Sequence, residues 1–154
     1  MKILIVEDDF GSRISIQKML SPFSECEIAV NGKEAVDAFT QSLESGAPYD
    51  LICMDIMMPE MNGKEALKII REKEKLFNVA PRDEVKIVMM TALDMAKDVI
   101  DAYYNGGCTS YLVKPILKEK VFKMLYELKL ITDEQVSLED LKSQNNKYKT
   151  QPGF

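Results

Sequence analysis

The chain contains no histidine at all. That one absence removes imidazole metal sites, Ser-His and Cys-His nucleophile pairs, and any phosphohistidine carried by this chain. Cysteine is sparse: Cys26, Cys53 and Cys108 are odd in number, widely spaced and set in apolar runs. They read as reduced core thiols of a cytosolic protein, with no disulfide framework or metal cluster. No long basic run occurs and the net charge is −5, which argues against a nucleic-acid-binding surface. Only four apolar residues stand between Lys2 and the first acids, too few for a signal-peptide core or a membrane span. Internal repeats and a second domain are also missing. What remains is 154 residues, 46% hydrophobic and 29% charged, enough for one domain with a full core.

Five short apolar runs punctuate the chain: 2–6 (KILIV), 26–30 (CEIAV), 50–54 (DLICM), 86–90 (KIVMM) and 109–113 (TSYLV). Between them apolar residues recur at intervals of three and four. Examples are Ile14, Met19 and Leu20; Ala35, Ala38 and Phe39; Leu67 and Ile70; Val99, Ala102 and Tyr103; Val121, Leu125 and Leu128. Alternating strands and helices predict an α/β fold, a doubly wound parallel sheet with helices on both faces. Runs one, three and four are almost continuously apolar, as central parallel strands are. Run two interleaves Glu25 and Glu27 with Cys26 and Ile28, and run five carries Thr109 and Ser110. Both read as edges, and the order 2-1-3-4-5 satisfies right-handed crossovers. Asn31 is a predicted helix N-cap, and Asn62-Gly63 signals a turn and a helix start.

The last segment differs in composition. Thr132 and Gln135 stand at capping-box spacing ahead of Val136, Leu138 and Leu141, which predicts a short helix over about 133–142. Residues 143–154 are polar. The expected organisation is therefore one domain over 1–130 and a C-terminal extension over 131–154. The extension is open to three roles: capping the sheet edge, forming a homodimer, or none.

On this architecture the unusual polar residues fall on one rim. Glu7 and Asp8 follow the first strand, Asp55 the third, Thr91 ends the fourth and Lys114 the fifth. Open parallel sheets bind ligands at the carboxyl ends of their strands. Three acids and one lysine leave a charge of −2, so the cluster must raise a carboxyl pKa or bind a cation. All-oxygen donors open to solvent suit Mg²⁺. Calcium is disfavoured because no EF-hand loop is present. A carboxylate, a hard cation, a hydroxyl and an amine together are the set that phosphoryl transfer uses, with Asp55 as nucleophile.

The stretches LIVEDD (4–9), DLICMDIMMPEMNG (50–63), MMTAL (89–93) and SYLVKP (110–115) resemble the response regulator receiver domain of two-component signalling. The resemblance spans residues 2–130 and implies a flavodoxin-like (βα)5 fold and a cytoplasmic phosphoacceptor switch. By it Asp55 is the phosphoacceptor, and Lys114, before a cis Pro115, contacts the phosphate. Thr91 hydrogen-bonds the phosphate, and Tyr111 turns inward when Thr91 moves. Asp8 and Asp55 ligate Mg²⁺ directly, Glu7 through water, and Met57 through its backbone carbonyl. Matching through Arg13 makes the acidic pair Glu7 and Asp8, leaving Asp9 in a solvated loop position. Met57 and Leu93 replace commoner polar residues beside the path of the attacking water.

The implied partners are a sensor histidine kinase or a histidine phosphotransfer protein, and an output protein that reads the face of the fourth helix, fifth strand and fifth helix. Direct contact with nucleic acid or membrane is not expected. The 24 residues after Leu130 are too few for a DNA-binding output domain, so the expectation is a single-domain regulator. A phosphorelay intermediate and a non-phosphorylated scaffold are the alternatives. Aspartate-nucleophile hydrolases need a second Asp two residues after the first, where this chain has Met57. Flavin carriers need a Ser/Thr/Gly-rich phosphate loop after strand one, where this chain has acids.

Overall fold

The structure, a computed structural model, describes residues 1–92, 97, 101, 105 and 107–138. Its elements run β1 (Ile3–Val6), α1 (Phe10–Leu20), β2 (Cys26–Ala29), α2 (Gly32–Glu44), β3 (Leu51–Asp55), α3 (Gly63–Leu76), a 3-10 turn (Pro81–Asp83), β4 (Lys86–Thr91), β5 (Ser110–Val113) and α4 (Lys118–Glu127). The strands form one parallel sheet in the order β2-β1-β3-β4-β5. This is the expected topology, with β2 and β5 at the edges. The predicted helix carrying Val99, Ala102 and Tyr103 lies outside the described residues, as does Leu93. Of the predicted terminal helix, residues 133–138 are helical and the remainder falls outside. No helix among the described residues is long and apolar enough to cross a membrane.

Alternation along the strands sorts the core into two layers, since successive side chains point to opposite faces. Leu4, Val6, Ile52, Met54, Ile87 and Met89 face α2 and α3, and meet Phe39, Leu67 and Ile70. Ile3, Ile5, Leu51, Cys53, Val88 and Met90 face α1 and α4, and meet Ile16, Leu20, Val121 and Leu125. Ile131 and Val136, beyond α4, pack against this second layer, so the start of the extension sits on the domain. Thr132 and Gln135 form the expected capping box: the Thr132 amide donates to Gln135 Oε1 at 3.0 Å, and the Gln135 amide to Thr132 Oγ1 at 3.4 Å. The three cysteines are free, and burial pushes the Cys53 thiol up to about 12.

The opposite, amino-terminal end of the sheet is pinned by a buried ion pair. Arg71 Nη1 meets Glu74 Oε1 at 2.5 Å. The same guanidinium donates to the carbonyls of Val85 (2.9 Å) and Gly107 (3.0 Å), while Glu74 Oε2 accepts from the Val85 amide at 2.8 Å. A buried pair is tolerated when its remaining donors and acceptors are satisfied, as here. It ties α3 to the entries of both β4 and β5.

Both α2 and α3 start abruptly, and the first turn of α3 lies directly against the end of β3. Asn31 and Asn62 cap α2 and α3 through the amides of Glu34 (2.8 Å) and Glu65 (3.0 Å), as expected. Gly63 donates to the Ile56 carbonyl at 2.9 Å. A Cβ at Gly63 would overlap the Asp55 carbonyl oxygen and reach within 2.9 Å of Met89 Cε and 3.0 Å of Ile56 Cα. The lack of a side chain there lets α3 begin directly against the end of β3. Gly63→Ala gains at most about 1 kcal/mol of helix propensity and loses about 3 kcal/mol to overpacking against backbone. The expected net loss is about 2 kcal/mol, read as a lower urea midpoint at unchanged slope.

Candidate functional site

β1 and β3 end side by side, and their next residues define the site. The Glu7 amide donates to the Ala29 carbonyl at 3.1 Å, extending the ladder by one step and turning the Glu7 side chain inward, where it is fully buried. Asp55 is the last residue of β3 and only 6% exposed. Asp8 is exposed. One carboxylate oxygen from each of Glu7, Asp8 and Asp55 lies within 4.8 Å of the others.

Lys114, one residue past β5, reaches into this group. Its Nζ donates to Asp55 Oδ2 at 3.0 Å and to Glu7 Oε2 at 3.1 Å. Its amide bonds the Thr91 carbonyl at 2.7 Å, and the Lys114–Pro115 peptide is cis, as expected. The second oxygens are also engaged: Glu7 Oε1 accepts from the Asp9 amide at 3.2 Å, and Asp55 Oδ1 from the Met57 amide at 3.1 Å. Thr91 is buried at the end of β4, its hydroxyl donating to the Ala92 carbonyl at 3.2 Å. The Met57 side chain is 61% exposed beside Asp55. Tyr111 is exposed on β5.

Electrostatics follow from that packing. Desolvation, and then the Asp55 charge, push the Glu7 carboxyl up to about 7, against the opposing pull of Lys114 and the Asp9 amide. Burial disfavours the Lys114 ammonium, yet the hydrogen bonds to Asp55 and Glu7 raise its pKa on balance. The crowded acids are thus partly compensated by one internal cation, the Lys114 ammonium. A divalent cation fits the same place: the donors are carboxylate oxygens only, and the exposed Asp8 leaves one side open to water. The donor set contains no soft ligand.

The expected residues therefore come together: Glu7, Asp8, Asp55 and Lys114 in direct reach, with Thr91 and the Met57 backbone adjacent. Asp9 differs from expectation. It is exposed, but it is the N-cap of α1, its Oδ2 accepting from the Ser12 amide at 2.8 Å. That bond holds its carboxyl below the usual range. An acid beside two other acids reads as a charge first, and the backbone amide it caps is offered by any non-proline residue at that place. Arg13 has a role that residue type did not reveal: its Nη1 donates to the Glu7 carbonyl at 3.0 Å.

A family model described as "Response regulator receiver domain" matches residues 3–126. The transcriptional regulatory protein CiaR of Streptococcus pneumoniae is 35% identical over 124 residues, 79% of this chain and 48% of that protein. The first curated relatives are longer proteins, of which this chain spans between 7% and 63%. Among solved structures, the receiver domain of the sensor histidine kinase PA1611 from Pseudomonas aeruginosa, with a magnesium ion coordinated in its active site cleft, is 26% identical with a TM-score of 0.67. It covers 82% of this chain and 95% of its own. The co-crystal of the Saccharomyces cerevisiae histidine phosphotransfer protein Ypd1 and the receiver domain of Ssk1 matches at 29% identity and a TM-score of 0.71, covering 86% of this chain and 93% of its own.

The buried Glu7 makes metal-free stability pH-dependent. Its folded pKa is raised from 4.5 to about 7, so the folded state holds this proton over a range where the unfolded chain has released it. The contribution is complete below about pH 4.5 and is lost as pH rises through 7. In EDTA, the urea midpoint is expected to fall between pH 5 and pH 8, and to fall less in Glu7→Gln.

Proposed function

We infer the function from one premise: this chain belongs to the response regulator receiver domain family. It acts as a phosphorylation-dependent switch whose Asp55 accepts a phosphoryl group from the phosphohistidine of a sensor histidine kinase or a histidine phosphotransfer protein. Residues 1–130 are the receiver and 131–154 an extension. The observation that carries the reading is Lys114 Nζ set between Asp55 Oδ2 and Glu7 Oε2 at 3.0 and 3.1 Å. That geometry gives one ammonium, one buried acceptor carboxylate and two flanking acids on a single rim.

In the transfer, an Asp55 carboxylate oxygen attacks phosphorus, the P–N bond of the donor breaks, and its electron pair stays on the imidazole nitrogen. The product is an acyl phosphate on Asp55. Asp8 and Asp55 would hold Mg²⁺ directly, Glu7 through water, and Met57 through its backbone carbonyl. When bound, the metal neutralises the acids and the charge of the phosphoryl oxygens. Lys114 exchanges a carboxylate partner for a phosphoryl oxygen at little displacement, since it already touches Asp55. The Thr91 hydroxyl, now on the neighbouring carbonyl, rotates toward the same group, and Tyr111 moves inward from its exposed position. The binding energy of the new contacts biases an existing two-state equilibrium. Moving it from 1:99 to 99:1 takes about 5.5 kcal/mol of differential stabilisation. The altered face, built on β5 and α4 together with the predicted fourth helix that lies outside the described residues, contacts an output protein.

Incubation with acetyl phosphate and Mg²⁺ should add one phosphoryl group by intact mass, with none on Asp55→Asn and none on Asp8→Asn. No gain from either acetyl phosphate or a kinase would indicate a scaffold instead. Met57, apolar and beside Asp55, shields the phosphoryl group from water. Met57→Asn is accordingly expected to dephosphorylate severalfold faster, followed by loss of the phosphorylated mass after Mg²⁺ and donor are exchanged for fresh buffer; an equal or slower rate removes that role.

A further inference from the structure

Arg13 sits one turn into α1 and points back toward the strand that α1 follows. Its Nη1 donates to the Glu7 carbonyl at 3.0 Å, and its guanidinium lies 5.4 Å from the centre of the Phe10 ring. The other main-chain group of Glu7 is fixed as well, its amide bonding Ala29 of β2 at 3.1 Å. Ala29 therefore fixes the Val6–Glu7 peptide, and Arg13 fixes the Glu7–Asp8 peptide that follows it. That peptide sets the direction of the next side chain, Asp8, which is exposed and has no burial to hold it.

We propose that Arg13 is a positioning residue for cation binding. It acts through the Glu7–Asp8 peptide, holding Asp8 where its carboxylate converges with those of Glu7 and Asp55. The inference rests on the magnesium site of the preceding section and adds a residue that is not itself a ligand. Phe10 supports the arrangement: its ring is 69% exposed, and its contact with the guanidinium limits the rotamers Arg13 can take.

Two effects of removing Arg13 have opposite signs, and this makes the idea decidable. Loss of a positive charge near three acids favours a bound cation. Loss of the clamp frees Asp8 and disfavours it. Partners that orient ligands from outside the coordination shell typically carry 10- to 100-fold in metal affinity, whereas a half-exposed charge acts through screening solvent. The clamp should win.

The test uses Arg13→Met, which keeps the stem and a strong helix former but removes donor and charge, and Arg13→Lys, which keeps the charge and one donor. Mg²⁺ binding is measured by calorimetry at fixed pH, with melting in EDTA to verify the fold. The expected result is about a tenfold weaker Mg²⁺ Kd for Arg13→Met, substantial recovery in Arg13→Lys, and a phosphorylation rate restored by saturating Mg²⁺. An unchanged or tighter Kd in Arg13→Met overturns the proposal. A phosphorylation defect that saturating Mg²⁺ does not repair also overturns it, because Arg13 would then act on the phosphoryl group itself. If the wild type binds no Mg²⁺, the metal-site reading falls as well, an outcome distinct from a wild type that binds and a variant that binds equally.

Discussion

Two buried carboxylates, Glu7 and Asp55, face each other across the ends of β1 and β3, and a single lysine just past β5 lies between them. Without that ammonium the rim would carry two uncompensated acids in a desolvated place. With it, strands that are not neighbours in the sheet are joined across the rim: β1 to β5, and β3 to β5. The lysine reaches its place because its own amide is fixed to the Thr91 carbonyl and because Pro115 ends the strand directly after it. Everything else at the site, from the convergence of Asp8 to the seat of Thr91, is arranged around this bridge.

The bridge is also temporary by design of its chemistry. A cation shared by two anions is held by charge and loses little when a third anion arrives in the same place. In the proposed transfer the phosphoryl group would supply that anion, and a divalent cation would relieve the acid left behind. A site arranged this way would pass between two charge states with small side-chain displacements, which the proposed switch requires.

Much of this is legible in the residues because the fold is regular. The near-continuous apolar runs of β1, β3 and β4 and the broken ones of β2 and β5 dictate the strand order, and the order gathers Glu7, Asp8, Asp55, Thr91 and Lys114. Asn31, Asn62 and the Thr132–Gln135 box announce helix starts through side-chain chemistry alone. Asp9 is harder, because an acid can cap or ligate and the residue type does not choose. The complete burial of Glu7 was not visible either. It depends on the Ala29 carbonyl extending the β1–β2 ladder one step past the strand, a tertiary event. The reach of Arg13 is of the same kind: a helix-surface arginine shows no partner until the chain before it has turned.

The buried Arg71–Glu74 pair lies at the other end of the sheet, far from any phosphoryl chemistry. By holding the Val85 and Gly107 carbonyls to α3, it denies β4 and β5 the freedom to slide along their own axes. A rod clamped at one end can only bend. In the proposed switch, a displacement beginning at Thr91 would then be turned sideways, onto the outer surface of the β5 edge, and away from the clamped end of the sheet. A linker or neighbouring domain attached at that clamped end would then be insulated from the proposed switch, while a partner seated along β5 would sit where its displacement emerges.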